Sequence, residues 1–541
     1  MALEMTEQED KHRLRANSVS FHEEVPPTML ILPQPTTSIT QWQFPSLEAL
    51  LDEPFPRTPE DMMRLEQRLA TEAMQVADQM MLVQVTRAHQ DEAFVRQALA
   101  DVRAQSPVPL VHKGCRTTSV LLLGGTCLVL ETPYLREDRR GRLGRRRGKR
   151  GPRGAGRYPV LEALGIADRV SPATRAEIAL HVVQAASYRE AAAMLARRGL
   201  DCDVSSLVRI STVTAETSSH LRDVALAAAL SLPVSPNGPL AGKRVRVSLD
   251  GGRVRTRRRR RGRKTAKGRH GFATPWREPR LLVIDILDEQ GEPDRLRLPL
   301  YDVLIGDAEA VWALLIGYLR LLGAAYADVV EFIADGAEWI WHRVERLRSL
   351  AEIPAAKLVE VLDFYHASQY LYATLATGRR MSKAQCQALY KRLRHALRHK
   401  ADGVERVLEE LHALATTRRS KAITRAMGYL ETHAHRMRYV TLRMCKLPIG
   451  SGQVESAVWR VVNLRFKAPG SFWREPTVSG LMHLRAAFKA GRWDEIITGV
   501  ITDTFQVPNC EPVDNAVSQQ SAAIQECETP PAFVTPREKA A

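Results

Sequence analysis

The sequence lacks paired cysteines, long apolar runs and a recognisable export signal. Its seven cysteines stand at positions 115, 127, 202, 386, 445, 510 and 527, without any Cys-x-x-Cys pair. That spacing argues against a disulfide framework and against a zinc ribbon. No segment approaches the roughly 18 apolar residues of a membrane-spanning helix, so we expect no membrane partner. Because no secretory signal is visible, a reducing cytoplasm is the expected location.

Positive charge is abundant and is concentrated in two runs. The formal net charge is +17. Residues 136–157 hold eleven Lys or Arg among 22 residues with two acids, and residues 253–269 hold eleven among 17 with none. Charge runs are usually solvated loops, and we expect loops here. Basic side chains also bind DNA phosphates by releasing counterions, so duplex DNA is the expected partner. The candidate contacts in the second run are Arg257, Arg258, Arg259, Arg260, Arg261, Arg263 and Lys264.

Three acids stand where apolar segments end. Asp250 ends a strand-like alternation from Lys243 and precedes two glycines, and Asp335 ends a second apolar run before Gly336. Glu455 lies in the first turn of a helix that follows Pro-Ile-Gly-Ser-Gly. Each has a simpler interpretation, as a turn residue or as a surface acid on an amphipathic helix. If the three converge, a cation must offset their repulsion. Hard oxygen ligands favour Mg²⁺ or Mn²⁺.

The segments VSLDGGRVRTR, FIADGAEWIW, VLDFYHA and GSGQVESA follow one another in this order. Together they resemble the DDE transposases of bacterial insertion sequences, chiefly the ISKra-type and neighbouring ISLre-type groups. The resemblance covers roughly residues 110–490 and is strongest from 243 to 473. It implies an α/β fold: a ribonuclease-H-like mixed sheet with an all-α insertion, preceded by a mainly helical DNA-binding region.

The resemblance also implies the roles of the acids. Asp250, Asp335 and Glu455 would be catalytic and would hold two Mg²⁺ (or Mn²⁺), with Asp250 between the ions. Water would attack the phosphodiester at a transposon end, and the freed 3′ hydroxyl would then attack target DNA without a covalent enzyme intermediate. The acids are 85 residues apart (250 to 335) and 120 residues apart (335 to 455), so the second interval must contain an insertion.

Two alternatives remain open at this point. A nuclease of the same fold would share the acids but lack strand transfer. A non-catalytic DNA-binding protein derived from a transposase would keep the basic regions, although retention of all three acids counts against it. We also expect a homo-oligomer on DNA and a cytoplasmic, nucleoid-associated location.

Residues around the acids give further candidates. Asp363 and His366 share a face if a helix starts there. They would support the metal ligands or contact DNA, or they would be a capping Asp and a satisfied His. Arg460, Arg465 and Lys467 follow Glu455 and are candidate DNA contacts.

The chain is expected to divide into several regions. A helix, a turn at Gly199 and a second helix that opens with Ser205, Ser206 and Arg209 resemble a helix-turn-helix that contacts DNA. A purely structural helix pair is the alternative. The expected regions are a disordered tail (1–58), a helix and strand region (59–135), a basic linker (136–158), the helix-turn-helix-like domain (159–230), a linker (231–242), the catalytic domain (243–367 and 446–500) with its helical insertion (368–445), and a disordered tail (501–541).

Overall fold

The computed structural model describes residues 29–31, 55–137, 156–264, 268, 270–376, 381–417 and 421–512. Tertiary contacts divide the chain into two compact units, Met1–Thr214 and Ala215–Ala541. The division falls inside a helix, whereas a boundary was expected at the Pro-rich segment 231–242. Most of both predicted tails and most of the first basic run lie outside the described residues.

The first unit begins with two helices and a small sheet. Helices α1 (Pro59–Gln90) and α2 (Glu92–Ala104) are separated at Asp91, whose carboxylate accepts hydrogen bonds from the first turn of α2. Strands β2 (Leu110–Leu121) and β3 (Cys127–Glu137) form an antiparallel hairpin, and β1 (Met29–Ile31) and β4 (Gly156–Arg157) pair with β3. The strand β1 lies within the segment that was expected to be a disordered tail.

Three helices and the start of a fourth complete the first unit. Helices α3 (Pro159–Ala163), α4 (Pro172–Gln184) and α5 (Tyr188–Ala196) are followed by the long helix α6 (Val204–Ser231). The turn between α5 and α6 contains Gly199, which has a positive φ of 81°. A Cβ on Gly125 would approach the carbonyl oxygen of Gly199 to 2.0 Å, so the β2–β3 turn packs directly on this helical turn.

The second unit is built on a five-stranded mixed sheet. Its strands are β5 (Arg244–Gly251), β10 (Pro279–Leu287), β11 (Leu300–Ile305), β12 (Val329–Ala334) and β13 (Leu358–Leu362). The spatial order is β11-β10-β5-β12-β13. Strand β10 is antiparallel to both of its neighbours, β5 and β11. Strand β12 is parallel to both of its neighbours, β5 and β13. The unit therefore has a mixed α/β fold, as expected.

Alternation along the strands gives the sheet an apolar face. Val245, Val247 and Leu249 of β5 are buried in one core with helix α7 (Ala308–Leu321). Trp312 of α7 stacks on Phe332 of β12 at 5.7 Å between ring centroids. The other helices of this unit outside the insertion are α8 (Glu338–Leu350), α9 (Phe364–Ala376), α14 (Gly452–Val458), α15 (Leu464–Phe466), α16 (Glu475–Lys489) and α17 (Trp493–Thr502).

The predicted insertion is helical. It contains α10 (Lys383–His399), α11 (Gly403–Thr417), α12 (Lys421–His433) and α13 (Tyr439–Met444). Leu393 and Leu397 of α10 are buried, and Leu389 packs beside them. These side chains join the core of the sheet, so the insertion is an integral part of the second unit.

Two segments that were expected to be loosely held are packed. In the expected linker 231–242, Leu240 is buried and its N–H donates to the carbonyl of Leu322 at 2.9 Å. In the expected tail from 501 onwards, Cys510 is buried in the core and its carbonyl accepts a hydrogen bond from Arg297. The expectation of disorder is therefore wrong for residues 501–512.

Candidate functional site

Carboxylates meet at one edge of the mixed sheet. Strands β5, β12 and β13 are parallel neighbours, so their carboxyl ends lie side by side. Ser248 pairs with Ile333, and Ala334 pairs with Leu362. Continuing these registers by one or two residues places Asp250, Asp335 and Asp363 next to one another. Helix α14, which carries Glu455, packs against β5 and β10 above this edge.

Asp250 is a partly buried acid under the influence of its neighbours. One carboxylate oxygen accepts a 2.7 Å hydrogen bond from the N–H of Gly251. Burial raises the pKa of Asp250 to about 6, and the negative charges of Asp335 and Glu455 add to this effect. The Gly251 hydrogen bond and the charge of His366 oppose the rise. The three predicted acids are thus close enough to interact electrostatically.

Asp363 connects the end of β13 to the segment before Glu455. One of its oxygens accepts a 2.7 Å hydrogen bond from the N–H of His366, which caps the start of α9. Its other oxygen accepts from the N–H of Ser451. The side chain is buried at 1% exposure. Because both oxygens bind backbone groups, Asp363 positions the loop that leads into α14.

His366 contacts Glu455 directly. Its Nε2 lies 3.0 Å from Oε1 of Glu455. This hydrogen bond is the main reason that the pKa of His366 is raised to about 9. The negative charges of Asp363 and Asp335 raise this pKa further, whereas partial burial lowers it. A protonated His366 therefore offsets part of the negative charge at the edge of the sheet. Among the roles expected for His366, a contact with an acid of the site is the one that the structure contains.

The donor chemistry suits a hard divalent cation, because Asp250, Asp335 and Glu455 offer carboxylate oxygens only. The burial of Asp250 beside two further negative charges leaves charge for such an ion to neutralise. Among the described residues, however, no group of three His, Cys, Asp or Glu side chains is gathered as a ready ligand set. Glu455 is turned to His366 instead. The residues fit the ion chemically, and Oε1 of Glu455 would have to release the imidazole of His366 to bind it.

A residue of the insertion also reaches the site, although no sequence pattern indicates it. A Cβ on Gly336 would come within 2.1 Å of the hydroxyl of Tyr429 on α12. The turn after Asp335 therefore packs directly under this ring and requires a glycine. Burial raises the pKa of Tyr429, and the negative charge of Asp335 adds to the rise. The insertion thus forms one wall of the site.

The arginine run beside Asp250 forms a β-hairpin, although a loop was expected. Strands β6 (Val254–Arg255) and β7 (Arg258–Arg259) pair with β9 (Trp276–Arg277) and β8 (Phe272–Ala273), respectively. We call residues 253–278 the basic arm. At its base, the N–H of Gly252 donates to the carbonyl of Pro279 at 2.8 Å. The arm therefore continues directly from β5 and β10, at the edge that carries Asp250.

Aromatic rings hold part of the arm while most of its charges stay exposed. The guanidinium of Arg255 lies 4.7 Å from the ring centroid of Trp276, and that of Arg257 lies 4.5 Å from Phe272. The N–H of Arg257 also donates to the carbonyl of Trp473 at 2.6 Å. The exposed basic residues are Arg253, Arg255, Arg258, Arg259, Arg260, Arg261, Arg263 and Lys264.

The basic residues after Glu455 are not equivalent. Arg460 is buried at 3% exposure, and its guanidinium donates to the hydroxyl of Tyr301 at 3.0 Å. Arg465 is buried at 2% exposure, 4.9 Å from the ring of Trp473. The expectation that these two arginines contact DNA is corrected, because neither guanidinium is accessible. Lys467 is exposed and remains a candidate.

Most of the candidate DNA-contacting side chains at the start of α6 bind other residues of the first unit instead. Ser206 is buried, and its hydroxyl donates to the carboxylate of Asp203 at 2.7 Å. Arg209 forms an ion pair with Asp168. These contacts correct the expectation for Ser206 and Arg209, since Ser206 holds the start of α6 and Arg209 ties α6 to the segment before α4. Ser205 is exposed.

Comparisons with known proteins do not place the chain in a family. No protein-family model, no curated protein and no solved structure matches it. Within the described part of the chain, every helix is too short or too polar to cross a lipid bilayer.

Proposed function

We propose that this chain is a DDE-type transposase with a ribonuclease-H-like catalytic domain, which cleaves DNA at the ends of an insertion sequence and joins the freed end to target DNA. The observation that carries the proposal is the meeting of Asp250, Asp335 and Glu455 at one edge of a mixed sheet. These acids come from three distant parts of the sequence, and their charges interact. The strand order and the helical insertion before Glu455 support the same assignment.

The chemistry follows from what each side chain can do. Asp250, Asp335 and Glu455 would hold divalent cations, which supply Lewis acidity and lower the pKa of bound water. Asp363 fixes the loop that carries Ser451 and thereby orients the helix of Glu455. His366 balances the charge of Glu455. No nucleophilic side chain is required.

The basic arm supplies the substrate contact in this proposal. It begins three residues after Asp250 and exposes a row of guanidinium groups. Phosphate contacts of this kind position a duplex without reading its sequence. A duplex on the arm would therefore lie close to the acids that act on its backbone.

Reaction products test the proposal. The full-length protein is incubated with Mg²⁺ or Mn²⁺, a duplex containing the DNA that flanks its own gene, and a supercoiled target plasmid. The proposal predicts cleavage at a defined end followed by covalent joining of that 3′ end to the plasmid. Cleavage without joined product would assign a nuclease, and stable binding without either product would assign a non-catalytic DNA-binding protein.

A further inference from the structure

A cavity lies beside the loop that leads to Glu455. Its volume is about 480 Å³, and it is lined by the turn between β10 and β11, the start of α9, the end of α10, α13 and residues 446–453. Tyr365 and Gln453 both line it. Tyr365 is next to His366 in the sequence, and Gln453 is two residues before Glu455, so the cavity adjoins the acids without including them.

The walls of this cavity are fixed by specific contacts. Arg244 donates to the carbonyls of Cys445 and Lys446 at 3.0 and 2.7 Å, and to the carbonyls of Asp288 and Glu289 at 3.3 Å. One arginine thus joins the two loops that form opposite sides. A Cβ on Gly291 would lie 2.1 Å from the carbonyl oxygen of Lys446, so the loops are already in contact.

An aromatic ring forms part of the wall. A Cβ on Gly450 would lie 2.6 Å from the ring of Tyr365, which therefore packs closely against the glycine backbone. Tyr365 is nevertheless 46% exposed. The adjacent wall carries Leu447, Pro448 and Ile449. The ring offers an accessible face beside an apolar surface.

Uncompensated positive charge surrounds the opening. Arg398, Arg443 and Lys446 line the cavity, and none of the three pairs with a carboxylate among the described residues. The Nε–H of Arg398 is buried without a hydrogen-bond acceptor. Arg246 also lines the cavity, but its charge is paired with Asp285. Glu292 is the acid among the lining residues, so cations predominate.

We propose that this cavity binds one unpaired nucleotide of the DNA strand next to the scissile phosphodiester. The base stacks on Tyr365 and reaches the amide of Gln453, and the flanking phosphate lies against Arg398, Arg443 and Lys446. Aromatic rings bind bases of any sequence, and unpaired bases are recognised in this way beside basic grooves. The volume falls within the usual range of ligand pockets, about 300–1,000 Å³.

This inference rests on the proposed function for the choice of DNA as ligand and for the position of the scissile phosphodiester. Its consequence is that the duplex must open at the site, because a paired base cannot enter the cavity. The nucleotide would anchor the strand within one or two residues of the acids. Strand opening would then be part of substrate selection.

Binding in the absence of divalent cations tests the inference separately from cleavage. Fluorescence anisotropy is measured with the full-length protein in EDTA, using a short fluorescein-labelled single strand and the blunt duplex of the same sequence. Tyr365→Ala should weaken single-strand binding by about tenfold or more and leave duplex binding unchanged. Tyr365→Phe should bind like the wild type. Tyr372→Ala is the matched control, because Tyr372 is an exposed tyrosine on the same helix that does not line the cavity.

A charge variant gives an independent readout. Arg398→Gln should lower the salt dependence of single-strand binding by roughly 0.7 in the log–log slope, the value for one phosphate contact. Lys391→Gln, an exposed change on the same helix, should leave the slope unchanged.

Equal single-strand affinity of Tyr365→Ala and the wild type would overturn the inference. An equal loss on single strand and duplex would also overturn it, because that result assigns a backbone contact alone. If the alanine variant fails to fold, Tyr365→Leu fills the space without an aromatic face and gives the same comparison. Single-strand binding that depends on Tyr365, in a protein that cleaves no DNA, would support the nucleotide-binding cavity, refute the proposed catalysis and overturn the placement beside a scissile phosphodiester.

Discussion

The carboxylates at the edge of the sheet differ in what holds them. Asp363 accepts two backbone hydrogen bonds and is buried. Asp250 and Asp335 each accept one, from the N–H groups of Gly251 and Ala337. Glu455 binds His366. Asp363 is thus committed to local structure, whereas the other three acids retain oxygens that can bind a ligand.

This difference predicts opposite effects on stability. Asp363→Ala removes two hydrogen bonds to a charged acceptor, each typically contributing about 1.5–3 kcal/mol, so the free energy of unfolding should fall by about 3 kcal/mol. Asp250→Asn should keep the free energy of unfolding within about 1 kcal/mol of the wild-type value, since it removes a partly buried charge that two other acids repel. Urea denaturation measures both values. A stability of Asp363→Ala equal to that of the wild type would contradict the anchoring role.

Glu331 gives a pH-dependent prediction away from the site. It is fully buried on β12, neither carboxylate oxygen has a hydrogen-bond partner, and burial raises its pKa from the ordinary 4.5 to about 8. Arg246 opposes the rise, and Asp285 adds to it. Between pH 4.5 and 8 the folded chain keeps a proton that the unfolded chain releases. Stability should therefore fall as pH rises, by up to about 1.4 kcal/mol per pH unit.

Glu331→Gln removes this titration. We expect its unfolding free energy to depend less on pH than that of the wild type between pH 5 and 8, and to exceed it near pH 8. Glu289→Gln, an exposed change on the β10–β11 turn, is the control. Parallel pH profiles for Glu331→Gln and the wild type would show that Glu331 is ionised in the folded protein.

At the scale of single elements, the basic arm shows where sequence patterns are insufficient. A run of arginines lacks the apolar alternation that predicts a strand. Its strands arise instead because Trp276 and Phe272, which come later in the chain, pair with it and pack on Arg255 and Arg257. The arginine run alone therefore does not predict the hairpin, which depends on its partner strands. The exposed guanidiniums nevertheless remain available, as the charge run suggested.

Replacing Arg258, Arg259, Arg260 and Arg261 with Ser tests the role of the arm. These residues are exposed, so folding should be unaffected. Binding to any duplex should weaken, and the salt slope should decrease by roughly 0.9 per lost phosphate contact. A filter-binding series across salt concentrations measures this. An unchanged slope would identify the arm as a solvated hairpin without a DNA contact.

At the scale of the whole molecule, buried polar groups join α6, β11 and α16 within the second unit. Arg222 of α6 forms an ion pair with Asp302 at 3.0 Å, and His483 of α16 lies 2.8 Å from the same carboxylate. Ser218 contacts His483 at 2.9 Å. The arrangement resembles a Ser-His-Asp series, but all its members are buried, so it stabilises the fold. It also explains why the end of α6 belongs to the second unit.

The sequence predicted the parts of the site that lie at strand ends. The ends of β5 and β12 follow from apolar runs that stop at Asp-Gly turns, and parallel pairing brings Asp250 and Asp335 together. It could not predict the burial of Arg460 and Arg465, because Tyr301 and Trp473 become their neighbours only after folding. Tyr429 was missed for the same reason, since it reaches the site from the insertion. Long-range packing, rather than local pattern, decides these positions.

The most direct measurement is DNA cleavage by single amide variants of the three acids. Asp250→Asn, Asp335→Asn and Glu455→Gln remove a ligating charge with little change in shape, so each should abolish Mg²⁺-dependent cleavage while DNA binding persists. Glu338→Gln, an exposed change three residues after Asp335, is the control and should cleave like the wild type. Cleavage within tenfold of the wild-type rate by any of the three amide variants would contradict the assignment of that acid and the central claim of a three-carboxylate site.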